Sequence, residues 1–502
     1  MWNNIFSGLV NLLSLESVLF INFGMAVGIV FGALPGLTAT MGVALFLPVT
    51  FGLDPLPGML LLLGIYCGGT YGGSITAILI KTPGTPASAA TVLDGYEMAR
   101  KGHAGKALDT ALVCSTIGGI ISALVLLFLA PQIARIALRF GSPERFMLAM
   151  FGLSIICTLS GRRLFKGLIS AAFGLFVASI GLDPIEGLPR FTFGINEFMA
   201  GVGIIPALVG LFAISEILNK VRVGDTSEEG KAALTKDRMT LAELRGCSKD
   251  IVKSSVIGTI IGAIPGTGAA IAAFLSYMEA RRSSKTPGKF GTGHINGIAA
   301  PEAGNNGVTG ATLIPLLTLG IPGDVVTAVM LGALMMKGLT PGPQLFQKHG
   351  VLMYTIMIGL IFVNVFMYLQ GKLFIKAFAN VNRIPTSLLS TILIVLCVIG
   401  GFSVNNSVFD VFLMLGFAAV GYLATKFQFP TVPMLLAIIL GPMAEENLRK
   451  SLLLSRGSWS IFVTKPISLL FLLLTLAAIL VPAIVNVVLR KKETASLART
   501  DR

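Results

Sequence analysis

A helix crossing a bilayer tolerates proline followed by glycine only where something satisfies the freed backbone groups, and this chain carries that pair twice in near-identical apolar settings. One copy reads Gly28-Ile-Val-Phe-Gly32-Ala-Leu-Pro35-Gly36-Leu-Thr38; the other reads Gly258-Thr-Ile-Ile-Gly262-Ala-Ile-Pro265-Gly266-Thr-Gly268. Each is followed downstream by a second glycine-rich break with its own Pro-Gly pair. In the first half these are Gly68-Gly69-Thr70-Tyr71-Gly72-Gly73 and Pro83-Gly84-Thr85-Pro86; in the second, Gly304-Asn305-Asn306-Gly307 and Pro322-Gly323-Asp324. Duplicated helix breakers at membrane depth build polar sites midway through a bilayer, which is the need of a carrier.

Composition places the chain in lipid. It is 54% hydrophobic and 12% charged, against about 25% charged for soluble domains. Apolar runs over 107–130, 167–182, 199–218, 351–370, 386–402, 407–423 and 465–489 approach the ~20 residues of a spanning helix. With the interrupted segments they predict an all-α polytopic membrane protein of roughly 10 to 12 passes. The net charge of +14 is loop charge rather than a nucleic-acid surface. Arg281, Arg282, Lys285 and Lys289 form one cluster between apolar runs, Arg162, Arg163 and Lys166 another, and Arg490, Lys491 and Lys492 follow the last run. All of these face the cytoplasm by the positive-inside rule. The start of the chain lacks the basic region and cleavage site of a removable signal.

The polar stretch 219–250 reads as a cytoplasmic linker between a first membrane repeat, 1–218, and a second repeat with additional helices, 251–490; a basic tail, 491–502, ends the chain. The residues after Gly36, through Asp54 and Pro57, hold no Lys or Arg, whereas those after Gly266 reach Arg281, Arg282, Lys285 and Lys289. Opposite charge bias on equivalent loops predicts two inverted repeats with broken or re-entrant helices. The 219–250 stretch is basic as well, which fits a hairpin turning at Pro265-Gly266.

Freed amides at a half-helix start suit an anion; freed carbonyls with Thr and Asn oxygens suit sodium. The candidate substrate-binding set is therefore Gly36, Thr38, Gly69, Thr70, Gly72, Lys81, Gly84, Thr85, Gly266, Thr267, Asn305, Asn306 and Gly323. The candidate sodium set is Thr38, Thr267, Asn305 and Asp324. Lys81 either pairs with a substrate carboxylate or snorkels from a helix end. Asp324 either holds a cation or caps a half-helix. Glu302 reads equally as an ion ligand and as a loop carboxylate. The five scattered cysteines and three distant histidines match no zinc or catalytic spacing, and HExxH, GxSxG and Walker A patterns are absent from the sequence. No enzyme activity and no resident cofactor are expected. A channel or passive exchanger for small organic anions is the alternative, with a membrane enzyme and a scaffold behind it.

At these residues the chain resembles the large permease subunit of the tripartite tricarboxylate transporters. The likeness runs through Gly32–Thr38, Tyr66–Leu79, Pro83-Gly84-Thr85-Pro86 and Asp94-Gly95-Tyr96. It continues through Pro301–Asn306, Gly320–Gly323, Asn405-Asn406 and Leu440–Arg449. The resemblance implies a bacterial inner-membrane system with a small membrane subunit and a periplasmic solute-binding protein. It also implies uptake of citrate-like organic acids, coupled to a cation gradient, typically Na+.

Overall fold

The computed structural model describes residues 2–159, 164–183, 186–223, 234–379 and 386–480. Arg162, Arg163, most of the acidic and basic residues of the 219–233 stretch, and the basic tail lie outside them. The chain begins with α1 (Trp2–Leu12), α2 (Leu15–Ala33), α3 (Ala39–Phe46), α4 (Pro55–Ile80), α5 (Val92–Met98) and α6 (Ala104–Ala137). Next come α7 (Ser142–Leu159), α8 (Leu164–Ala178), a small antiparallel pair β1 (Gly181–Leu182) and β2 (Pro189–Arg190), α9 (Ile204–Leu208) and α10 (Ser215–Val223). Beyond the 219–250 stretch follow α11 (Leu241–Ala263), α12 (Gly268–Ser283), α13 (Asn296–Ala311), α14 (Leu313–Leu319), α15 (Val325–Met336) and α16 (Pro343–Lys348). The chain continues with α17 (Gly350–Ala379), α18 (Thr386–Asn405), α19 (Val408–Lys426), α20 (Thr431–Leu454) and α21 (Ile461–Thr464).

This is an all-α polytopic membrane protein. Among the described residues, five helical stretches are long and apolar enough, by length and composition, to cross a membrane: Leu15–Ala33, Pro55–Ile80, Val92–Ala137 (α5 and α6, kinked at Gly102), Gly350–Phe378 and Val408–Lys426. Shorter apolar helices such as Ala39–Gly52 and Val325–Met336 each start at one of the Pro-Gly breaks. The chain divides into two compact units, Met1–Leu138 with Leu208–Ala419, and Arg139–Ala207 with Val420–Arg502. Within the second, α20 packs on α7 and α8, and Arg190 grips Glu445 through two nitrogens at 2.7 and 3.2 Å. Both Pro-Gly repeats lie in the first unit.

Glycine lets the first unit's helices pack backbone to backbone. A Cβ on Gly24 or Gly28 would fall 2.3 Å from the Leu61 carbonyl oxygen or 2.5 Å from that of Ile65, so α2 lies along α4 and runs parallel to it. The second repeat repeats the device: Gly258 sits against Gly304 and Gly307, and Gly262 against Val308 and Ala311, which sets α11 parallel to α13. The two pairs then oppose each other. Tyr66 on α4 bonds Thr312 after α13, while Ser74, two turns further along α4, bonds Glu302 near the start of α13. Helix α4 is therefore antiparallel to α13, and the repeats are inverted.

Each Pro-Gly turn is the tip of a hairpin. Phe23 on α2 meets Phe46 on α3 with ring centroids 5.9 Å apart, and Lys253 on α11 pairs with Glu279 on α12, so the chain doubles back at both turns. Both ends of the α11–α12 hairpin attach to the basic segment that opens α6. Lys106 bonds Glu243 at 2.8 Å and Lys101 bonds the Thr292 carbonyl at 2.6 Å. Beside them, burial acts to raise the Asp237 carboxyl, but hydrogen bonds from Thr235 and the His103 ring outweigh it and hold it below the ordinary carboxylate range. The far end of the bundle is marked by Lys337, bonded to the Phe51 and Leu53 carbonyls at 2.7 and 2.5 Å.

One expectation changes. The stretches 68–73 and 304–307 do not break the chain: both run as continuous helix inside α4 and α13. Their glycines thin the helix for close packing, while the i→i−4 ladder keeps every backbone group satisfied.

Candidate functional site

Both hairpin tips reach the middle stretch of α4. Gly32, just ahead of the first tip, touches α4 at Gly69, Gly72 and Gly73. The second tip bonds the second repeat's other break, Gly266 N–H to the Gly323 carbonyl at 2.7 Å, and neighbouring Asp324 bonds Tyr66 of α4. At 1.5 Å per residue, positions 66 to 73 all lie within about 10 Å of the midpoint of the 26-residue α4. Hairpins entering from opposite ends thus converge near mid-depth. Gly36 and Gly266 hold the same left-handed backbone, φ 80° and 83°, which a side-chain-bearing residue adopts only under strain.

The second breaks are also equivalents. Helix α4 ends at Lys81 and α14 at Gly320, both left-handed, and each leads through Pro-Gly to a new capping residue. In the second repeat that residue is Asp324. It accepts from the Thr327 amide and hydroxyl, both at 2.8 Å, and from the Tyr66 hydroxyl at 2.6 Å. Tyr66 also sits 3.2 Å from the Thr312 hydroxyl. In the first repeat the residue is Thr85, whose backbone exchanges hydrogen bonds with the Ser88 hydroxyl and whose own hydroxyl, buried, has no partner.

Between the repeats lies a buried polar cluster centred on Glu302, which is wholly inaccessible to solvent. One carboxylate oxygen accepts from Ser74 of α4 at 2.5 Å and from Thr91; the other accepts from Ser115 of α6 at 2.8 Å. Asn305 and Asn306, equally buried, continue it along α13. Asn306 donates to Asn305 Oδ1 at 2.5 Å and to the Glu302 carbonyl at 3.2 Å, while Asn305 donates to the Ala87 carbonyl at 3.4 Å. The oxygen Oδ1 of Asn306 has no partner among the described residues.

These inverted hairpins accord with the comparisons. The profile of the tripartite tricarboxylate transporter TctA family matches residues 18–436. The chain belongs to that family. The 52.8 kDa protein of the TAR-I ttuC' 3' region of Agrobacterium vitis is 35% identical over 479 residues, covering 95% of each chain. A protein of the TAR-II ttuC' 3' region of the same organism is 36% identical over 211 residues, covering 42% of this chain and 87% of its own length. No solved structure matches. Family membership makes the protein the large permease subunit of a tripartite tricarboxylate transporter.

In this TctA-family chain the residues marked from sequence fall into four groups. Gly36, Thr38, Gly266 and Thr267 sit at the tips. Thr38 caps α3 and donates to Glu216 at 3.1 Å; Thr267 donates back to the Ile261 and Ile264 carbonyls at 2.5 and 2.8 Å. Gly84, Thr85, Gly323 and Asp324 form the second breaks, and Asn305 and Asn306 join the Glu302 cluster. The rest serve packing or lie at an end. Gly69 faces Ala39, Gly72 faces the Ile29 carbonyl, and the Thr70 hydroxyl bonds the Tyr66 carbonyl at 2.9 Å. Lys81 is exposed at the basic end of α4, 5.6 Å above the Tyr96 ring. The amides of Gly84 and Gly266, read from sequence as open to an anion, already bond the Gly73 and Gly323 carbonyls at 3.1 and 2.7 Å.

Tyr66, Ser74, Thr91, Ser115 and Glu216 were not marked from sequence. Nothing in the local sequence singles them out; only the approach of a distant segment does. Glu302, left open between ion ligand and loop residue, stands inside a helix at the centre of the repeat interface.

Proposed function

We propose that this permease carries citrate-like organic acids across the bacterial inner membrane by alternating access, coupled to a cation gradient, with Na+ as the coupling ion. A small membrane subunit and a periplasmic solute-binding protein would complete the system, the basic end of the bundle facing the cytoplasm. The observation that carries this reading is the convergence of two inverted hairpin tips near mid-depth of α4, the arrangement from which alternating-access carriers open a central site to either face.

Charge supplies the reason for coupling. A tricarboxylate bears about three negative charges near neutral pH, and two half-helix ends offer only about one positive charge in all. Co-transported cations supply the remainder. Substrate would contact the tips around Gly36, Thr38, Gly266 and Thr267, with Lys81 drawing carboxylates at the basic end. Uptake of a panel of labelled organic acids by vesicles, with and without sodium and the cognate binding protein, tests this. Saturable uptake requiring both is expected; uptake indifferent to any ion gradient would favour a passive exchanger.

A further inference from the structure

Two carboxylates of the first unit are completely buried, and their surroundings differ in kind. Asp94 of α5 accepts from the backbone amides of Gly291, Gly293 and His294 at 2.6 to 3.0 Å and from the Tyr277 hydroxyl at 2.9 Å. Amides only donate, and with the Tyr277 hydroxyl they fill the acceptor positions of Asp94, leaving none for another partner. It is a clasp tying α5 to the loop ahead of α13.

Glu302 has no such shell. The hydroxyls around it, on Ser74, Thr91 and Ser115, each keep oxygen lone pairs while donating, and each comes from a different segment. One turn along α13, Asn306 Oδ1 is buried without a partner, as are the hydroxyls of Thr85 and Tyr71. Titratable neighbours are Tyr71 on α4, Cys114 and Asp109 on α6, Cys247 on α11, and Tyr277 on α12, the last engaged by Asp94. Among the described residues no lysine, arginine or histidine pairs with Glu302. A buried charge without a counter-ion is costly, whereas oxygen donors gathered around a carboxylate are the ligand chemistry of a small hard cation.

We propose that Glu302 is the seat of an exchangeable monovalent cation, either sodium or a proton, held by its carboxylate with the hydroxyls of Ser74, Thr91 and Ser115 and the Asn306 carbonyl. The assignment rests on the coupled-transport reading above and names the site of the coupling ion. It lies where α4, α6 and α13 meet, so occupancy affects both repeats: filled, the site is neutral and lets them stay packed; emptied, it leaves an uncompensated charge at their interface.

N,N′-dicyclohexylcarbodiimide, which adds to protonated carboxyl groups in apolar surroundings, tests this on the full chain in native membranes, with peptide mass spectrometry as the readout. For a sodium site, labelling of Glu302 slows ~10-fold when sodium is raised to about ten times its dissociation constant, while potassium at equal ionic strength has no effect. For a proton site, sodium has no effect and labelling falls as pH rises. In either case Ser115→Ala, which removes one oxygen and leaves the carboxylate, shifts the half-protecting sodium concentration or pH. Labelling indifferent to sodium and pH, or a Glu302 that never reacts, would overturn the assignment. If such a result came with cation-dependent uptake by the same membranes, only the Glu302 site would fail. Uptake independent of both gradients would instead refute the coupling itself.

Discussion

The second breaks of the two repeats share a backbone and differ in charge. Lys81-Thr82-Pro83-Gly84-Thr85 and Gly320-Ile321-Pro322-Gly323-Asp324 both end a helix in the left-handed region, turn through Pro-Gly and start again at an extended capping residue. The first carries a cation at its helix end and a neutral cap; the second carries glycine at the helix end and an anionic cap. Asp324 is engaged by Thr327 and Tyr66, whereas the Thr85 hydroxyl is buried and unpartnered. Repetition preserves the break, which is a backbone property, while side chains at the same places are free to differ.

The comparison breaks most severely at the glycines. A Cβ on Gly84 would lie 2.0 Å from the Gly32 carbonyl oxygen, and one on Gly323 would lie 2.6 Å from Thr312 Cα. Backbone must move in both cases. Gly84→Ala is expected to lower stability by about 3 kcal/mol and Gly323→Ala by somewhat less, read as thermal unfolding of the purified protein. Equal or negligible shifts would show that the first break is not the tighter one. Tyr66→Phe comes next: it strips the Asp324 carboxyl of one of its two hydroxyl donors and should cost about 2 kcal/mol, with no equivalent partner to lose at Thr85.

Lys81 is one of few residues other than glycine with positive φ, at 58°. Lys81→Gly should stabilise by about 1 kcal/mol by relieving that strain, while slowing uptake if the charge attracts substrate. Unchanged uptake kinetics would assign Lys81 to helix termination alone. The smallest effect is expected at Thr85→Val, which removes a hydroxyl without a partner and should alter stability by under about 1 kcal/mol. A transport defect in that stable variant would mark the hydroxyl as facing cargo rather than protein.

Much of the architecture is written in residue type. Pro35-Gly36 and Pro265-Gly266 strongly disfavour helix, so turns there are expected from residue type, and the opposed charge of the loops beyond them points to inversion. The glycines at 68–73 and 304–307 were misread as breaks because glycine in sequence signals either flexibility or thinness. Only an approaching neighbour, such as the Ile29 carbonyl at Gly72 or the Ser276 hydroxyl at Gly304, separates the two.

The candidate site was legible at its tips and obscure at its centre. Thr38 and Thr267 stand beside Pro-Gly turns and could be marked on that ground. Ser74, Thr91 and Ser115 have no such flag, since hydroxyls are common in apolar sequence and bond nearby backbone by default. They matter because three separate segments bring them to one carboxylate.

Local rules, then, determined from the chain alone that it lives in lipid, where its helices must stop and that its halves mirror each other, because hydropathy, proline and glycine act within a few residues of themselves. Which carboxylate is buried as a clasp and which among hydroxyls was decided only in three dimensions. Asp94 and Glu302 look alike in sequence; the amides that saturate one and the hydroxyls that surround the other come mostly from chain far away, and proximity of that kind has no local signature.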